Sequence, residues 1–119
     1  MADSILKVKS YQFSLHVIKL VKNLQKEQNE YILSRQIMRS GTAIGALIRE
    51  AEFAQSKADF IHKMSIALKE ANETLYWISL LKDSYYIDND NFIIIDADCK
   101  ELISLLVATV KTLKKNLKD

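Results

Sequence analysis

Residues 36–77 read QIMRSGTAIGALIREAEFAQSKADFIHKMSIALKEANETLYW, and this stretch decides the fold. In its first half Ile37, Gly41, Ile44, Ile48 and Ala51 recur at spacings of 4-3-4-3. In its second half Ile61, Met64, Leu68, Ala71 and Leu75, continued by Ile78 just beyond it, recur at 3-4-3-4-3. Alternating threes and fours keep apolar side chains on one face of an α-helix. Between the halves lies Gln55-Ser56-Lys57-Ala58-Asp59. A serine followed three residues later by an acid is an N-cap signature, and Asp59 also suits the positive end of the helix dipole. The stretch therefore predicts two helices, one over about 33–54 and one from the Ser56 cap to about Tyr85, joined by a short turn.

Outward from this pair the pattern repeats. Leu6, Phe13, Val17, Leu20 and Leu24 predict a first helix from Ser4 or Ser10 to Gln25, closed by the polar run Lys26–Glu30. Ile87–Asn91 reads as a third turn, with Asp90 or Asn91 as cap. Leu102, Leu106, Val110, Leu113 and Leu117 mark the inner face of a fourth helix over about 92–117. Short turns between long helices imply antiparallel neighbours, so the expected fold is all-α, an up-down-up-down four-helix bundle. At 119 residues it forms a single domain, 1–119.

Composition excludes the alternatives. The chain has no proline and only two glycines, too few for the turns of an all-β fold. With 49% apolar and 27% charged residues it resembles a folded domain rather than a disordered one. The single cysteine, Cys99, rules out an internal disulfide and a multi-cysteine zinc site, and is expected as a small buried hydrophobe. Met1-Ala2-Asp3-Ser4 lacks a signal-peptide pattern, and the near-apolar run Leu102–Val110 is too short to span a bilayer. A cytoplasmic protein without membrane contact is expected.

The net charge of +2 hides an asymmetry. Residues 1–50 carry eight basic against four acidic side chains, residues 51–100 five against nine, and residues 101–119 four against two. On the second helix, Arg35, Arg39 and Arg49 fall opposite the apolar stripe, with Phe53 beside them. On the third, His62, Ile66, Glu70, Glu73, Trp77 and Leu80 fall opposite the stripe. Such a face is either covered by a splayed bundle or is a subunit interface, with Trp77 as anchor and Phe53, Ile66, Glu70, Glu73 and Leu80 around it. The arginines of one face complement the glutamates of the other. A second helix docking on a neighbour's third helix would be a heterologous contact that can close into a ring. Lys100, Lys111, Lys114, Lys115 and Lys118 cluster on one side of the fourth helix, as a solvated face or as phosphate contacts. Gly41 and Gly45 form a G-x-x-x-G spacing that marks a close helix crossing.

The search for chemistry returns little. Asp59 and His62 stand three apart, as in di-iron bundles, but such sites need a second motif and further inward carboxylates. His16 has no evident partner. No glycine-rich phosphate loop or nucleophile elbow occurs. No metal, cofactor or enzymatic activity is expected.

Residues 36–77 closely resemble the bacterial four helix bundle protein family. The family includes proteins encoded in intervening sequences of large-subunit ribosomal RNA genes and the accessory variability proteins of diversity-generating retroelements. Arg39-Ser40-Gly41, Arg49-Glu50-Ala51, Ser56-Lys57-Ala58-Asp59-Phe60 and Lys69-Glu70-Ala71 carry the likeness together. It extends more loosely over the first helix, through KSYQFSL and YILSRQ, and over the fourth. Leu47 departs from it, standing where a polar residue, often asparagine, is usual. The resemblance implies an antiparallel bundle that assembles as a homopentamer. For retroelement members it implies nucleic-acid binding and a reverse transcriptase partner. Carried to this chain, it makes Arg35, Arg39, Arg49 and the fourth-helix lysines the contacts for RNA or DNA. Arg39, Glu50 and Glu70 alternatively form structural ion pairs. The leading expectation is a non-enzymatic, homo-oligomeric, nucleic-acid-associated accessory protein. The alternative is a protein–protein scaffold with no nucleic-acid role.

Overall fold

The computed structural model describes the backbone of residues 2–118 and the side chains of residues 5–116. Among them are four helices and no strand: α1 (Ala2–Gln28), α2 (Leu33–Ala51), α3 (Lys57–Asp83) and α4 (Asn89–Lys118). They lie side by side in a body of 51 × 22 × 20 Å. α1 packs on α2 and α4, and α3 packs on α2 and α4, while the diagonal pairs stay apart. Cross-helix contacts run in the order that antiparallel neighbours make. On α1 and α2, Lys7 meets Glu52, Ser10 faces Gly45, Val17 faces Gly41, and Gln25 reaches Ser34.

The helix boundaries differ from expectation for local reasons. α1 starts before Ser4, because no residue there breaks the helix, and it runs on to Gln28. Asn29 then takes a left-handed conformation (φ 54°), ordinary for asparagine after a helix end. α2 stops at Ala51, three residues early: the N–H groups of Glu52, Phe53 and Ala54 each bond the carbonyl three residues back, tightening the chain out of the α-helix. Ser56 caps α3 as expected, its hydroxyl accepting the Asp59 N–H at 3.0 Å. The Asp59 carboxylate accepts the Gln55 N–H in return, at 3.1 Å. α4 begins at Asn89, not Phe92, and neither Asp90 nor Asn91 caps it. Asp88 does, accepting the Asn91 N–H at 2.8 Å.

One cap has no sequence signature. Glu30, buried just ahead of α2, accepts the N–H groups of Ile32, Leu33 and Ser34. Three orphan donors of the first turn are thereby satisfied by a residue two positions before the usual cap.

The core holds Leu6, Phe13, Val17, Val21 and Leu24 of α1, and Ile37, Ile44, Ile48 and Ala51 of α2. α3 and α4 contribute Met64, Ala67, Ala71, Ile78, Leu81, Ile95, Cys99, Leu102 and Leu106. The α2 stripe is as expected. On α3 the buried line is Ile61, Met64, Ala67, Ala71, Thr74, Ile78 and Leu81, so Leu68 and Leu75 lie half-buried at its edge. At about 100° per residue this turns the α3 core face by roughly 45° from the expected direction. The shift favours small residues at the α2/α3 contact, where Ser40 and Thr74 share a buried hydrogen bond of 2.8 Å. Leu20 is half-buried rather than core, and Leu117 lies beyond the described side chains.

Candidate functional site

The rotation of α3 decides where its functional candidates sit. Trp77, Ile66 and Leu80 are half-buried on the flank of the helix, not at its outermost line. Trp77 packs on the core and stands edge-on to the exposed Tyr76, ring centroids 5.2 Å apart. Its indole N–H donates to Glu73 at 3.0 Å. The same carboxylate takes Arg39, whose guanidinium also reaches Glu70 at 3.2 Å. The Trp77 hydrogen bond, aided by Arg39, holds the Glu73 carboxyl below the usual carboxylate range against the opposing effect of burial. The carboxylate in turn raises the Arg39 guanidinium. The arginine–glutamate complementarity expected between neighbouring subunits is therefore satisfied inside one chain. The outermost line of α3 is His62, Lys69, Asn72 and Tyr76, all exposed.

The basic candidates separate into tied and untied groups. Arg39 is committed to Glu70 and Glu73, and Lys100 to Asp96 at 2.9 Å. Arg49 lies over the Tyr11 ring, 5.7 Å from its centroid, and among the described residues no carboxylate pairs with it. Arg35, Lys111, Lys114 and Lys115 are exposed, and among the described residues no carboxylate pairs with them. The bundle does not bring these together. Arg35 opens α2, whereas the three lysines close α4 at the opposite end. The side chain of Lys118 lies outside the described residues.

Sequence reasoning missed an apolar line on α1. Ile5, Val8, Tyr11 and Leu15 are 44 to 56% exposed and share one side of the helix at spacings of 3-3-4. Phe53, just past α2, is 84% exposed. Val8, Tyr11 and Arg49 line a shallow groove between α1 and α2. The signal was present as a second apolar stripe beside the core stripe, but a 27-residue helix rich in aliphatics blurs the two.

Among the described residues, no three His, Cys, Asp or Glu side chains converge as a metal site. Asp59 is used at the α3 cap, and His62 is exposed apart from it. His16 does find a neighbour, Asp98 of α4, at 3.8 Å. Cys99 is fully buried, its Sγ 3.3 Å from the Ala71 carbonyl. Burial, with Asp96 and Asp98 nearby, pushes its thiol up to about 12, the opposite of an activated nucleophile. Gly41 and Gly45 do mark a close crossing: a Cβ on Gly41 would stand 2.9 Å from a Val17 methyl. Leu47, the departure from the family pattern, is half-buried against the core. No described helix is long and apolar enough to cross a membrane.

These features define an all-α four-helix bundle with an apolar core, whose charged groups and a second apolar line lie on its outer faces. The model of the 23S rRNA-intervening sequence protein family matches residues 2–108, and the chain belongs to that family. It is also similar to a crystal structure from Bacteroides thetaiotaomicron VPI-5482, a protein of unknown function from the S23 ribosomal protein family. The two are 50% identical, with 93% of this chain and 99% of that one covered and a TM-score of 0.91. No curated protein matches.

Proposed function

We propose that the protein is a non-enzymatic accessory protein that assembles as a homopentamer and associates with nucleic acid through phosphate contacts. The observation that carries this reading is the division among its cations. Arg39 and Lys100 are tied internally, whereas Arg35, Lys111, Lys114 and Lys115 are exposed and, among the described residues, unpaired. Untied lysines and arginines gain most from a polyanion, because they displace its condensed counterions without breaking an internal pair. Assembly is supported by the exposed line Ile5, Val8, Tyr11 and Leu15 with Phe53, apolar area that a second copy would cover. Several copies would present the cation sets together and multiply weak contacts.

Size-exclusion chromatography with light scattering, read at 260 and 280 nm, tests both parts. A mass near five times 13.7 kDa is expected. Bound nucleic acid that salt strips away is also expected. Charge reversal at Lys111, Lys114 and Lys115 should lower the salt slope by about one for each phosphate left without its cation. A monomer overturns the assembly. A pentamer with no affinity for RNA or DNA at low salt overturns the nucleic-acid reading and leaves a protein–protein scaffold.

A further inference from the structure

A cleft of about 580 Å³ opens between α1 and α4 beside the α3–α4 turn, at the end of the bundle remote from Lys111. That volume lies within the usual range of ligand pockets. Its apolar side is Leu20, Ile87 and Ile95, the last two buried. Tyr85 and Tyr86 stand along its rim, and His16, Lys19, Asn23 and Asn91 complete it.

Tyr85 is the anomaly. It occupies the first position beyond the α3 cap, with φ 67°. The N–H of Tyr85 bonds the Lys82 carbonyl, and that of Tyr86 bonds the Leu81 carbonyl at 2.8 Å. This is the helix-ending motif whose left-handed residue is normally glycine, sometimes asparagine. The corresponding residue after α1 is Asn29, in keeping with that preference. Tyrosine has no conformational reason to be there, and at 92% exposure it has no packing reason either. A residue held at a cost with no structural return points to a contact made outside the chain.

The polar groups of the cleft narrow the partner. Gln28 spends its amide N–H groups on Asn23 Oδ1 and the Tyr86 carbonyl, leaving the Asn23 amide N–H groups as donors. Asn91 donates to Asp88, leaving its amide oxygen as an acceptor. Asp88 is occupied by the first turn of α4. The free Asn23 amide donors and the free Asn91 amide acceptor, beside an aromatic ring, match the edge and face of a planar heterocycle. Lys19 and Lys26 are both exposed, and residues seven apart nearly eclipse along a helix, about 10 Å apart. Lys19 lines the cleft, and Lys26 follows it along the same side of α1.

We propose that this cleft takes one unstacked nucleobase of a single-stranded nucleic acid. Tyr85 stacks on the base, Asn23 and Asn91 bond its edge, and Lys19 and Lys26 hold the flanking phosphates. The inference deepens the nucleic-acid reading and rests on it, but it concerns other residues and can fail separately.

The test is saturation-transfer NMR on the full chain with AMP and UMP, ribose 5-phosphate as control, and a short oligonucleotide alongside. Saturation is expected on the base protons, with none on ribose 5-phosphate. Tyr85→Gly and Tyr85→Asn suit the left-handed backbone, so each should fold with Tm held or raised. Each should also weaken nucleotide binding at least about five-fold, the loss of one stacked base. Asn23→Ala should weaken it as well. Charge reversal at Lys111, Lys114 and Lys115 should leave the mononucleotide signal intact while lowering oligonucleotide retention. Absent base saturation, equal saturation of ribose 5-phosphate, or nucleotide binding indifferent to both Tyr85 variants overturns the cleft. If the oligonucleotide still binds in any of those cases, the nucleic-acid reading stands without it.

Discussion

α1 turns one flank to α2 and the other to α4, and the two seams close by different means. Toward α2 the backbones approach because Gly41 leaves the space of its Cβ to Val17, and Gly45 faces Ser10. Toward α4 the closure is made by long polar side chains: Lys9 with Glu101 at 3.0 Å, and His16 with Asp98 at 3.8 Å. Beyond those pairs the α1/α4 seam gapes into the cleft that holds Leu20 and Lys19. A seam closed by small residues excludes water and ligand alike. A seam closed by polar pairs between half-exposed groups contributes little stability and leaves room for a guest. The same helix thus has a flank that sets the fold and a flank that is open to binding.

Truncation on the two flanks should expose this difference most strongly. Ile44→Ala, in the core beside the two seam glycines of α2 and fully buried, should cost about 2–5 kcal/mol in denaturant unfolding. Leu20→Ala, at the wall of the cleft, should cost clearly less. Equal losses would mean that the α1/α4 seam is packed as firmly as its counterpart.

The two glycines sharpen the comparison further. Gly41→Ala puts a methyl against the stiff side chain of Val17, and overpacking of this kind costs about 1–3 kcal/mol. Gly45→Ala meets nothing nearer than Ser10 Oγ at 3.4 Å, an ordinary contact. There the helix-propensity gain of roughly 0.5–1 kcal/mol should dominate and raise Tm. If both substitutions prove neutral in thermal unfolding, the crossing is not set by glycine.

The effect that is smallest at neutral pH comes from Cys99, where α4 meets α3. Its thiol is raised to about 12 in the folded chain, well above the usual thiol range. Between those values the native state holds a proton that the unfolded chain has lost. Its contribution is full below the unfolded value and disappears as pH rises toward 12. Stability should therefore fall with increasing pH above roughly 9, and less steeply in Cys99→Ala. Parallel curves for the two proteins would show that the thiol has no part in the pH dependence.

Much of the fold was legible because it depends on periodicity. The α2 stripe, the Ser56 cap, the close crossing at Gly41 and the burial of Cys99 each follow from spacing or residue type along one segment. The α3 face was misjudged by about 45° because Leu68 and Leu75 outweigh Ala67 and Thr74 in hydrophobicity, while the α2/α3 contact selects for small size. Glu30 escaped as a cap because its carboxylate reaches forward from outside the usual position. Of the candidate site, the untied Arg35, Lys111, Lys114 and Lys115 were visible as charges, but not which cations were free. That depended on Glu70, Glu73 and Asp96, which only packing brings to Arg39 and Lys100.

By itself, then, the amino-acid sequence determined that four amphipathic helices form and where short turns separate them, since both are consequences of local spacing and chain chemistry. Tertiary structure alone decided how far α3 rotates, which charges are neutralised within the chain, and that α1 and α4 stand apart around a cleft beside Tyr85. Those outcomes depend on the relative placement of side chains distant in sequence, which a one-dimensional pattern does not encode in any readable form.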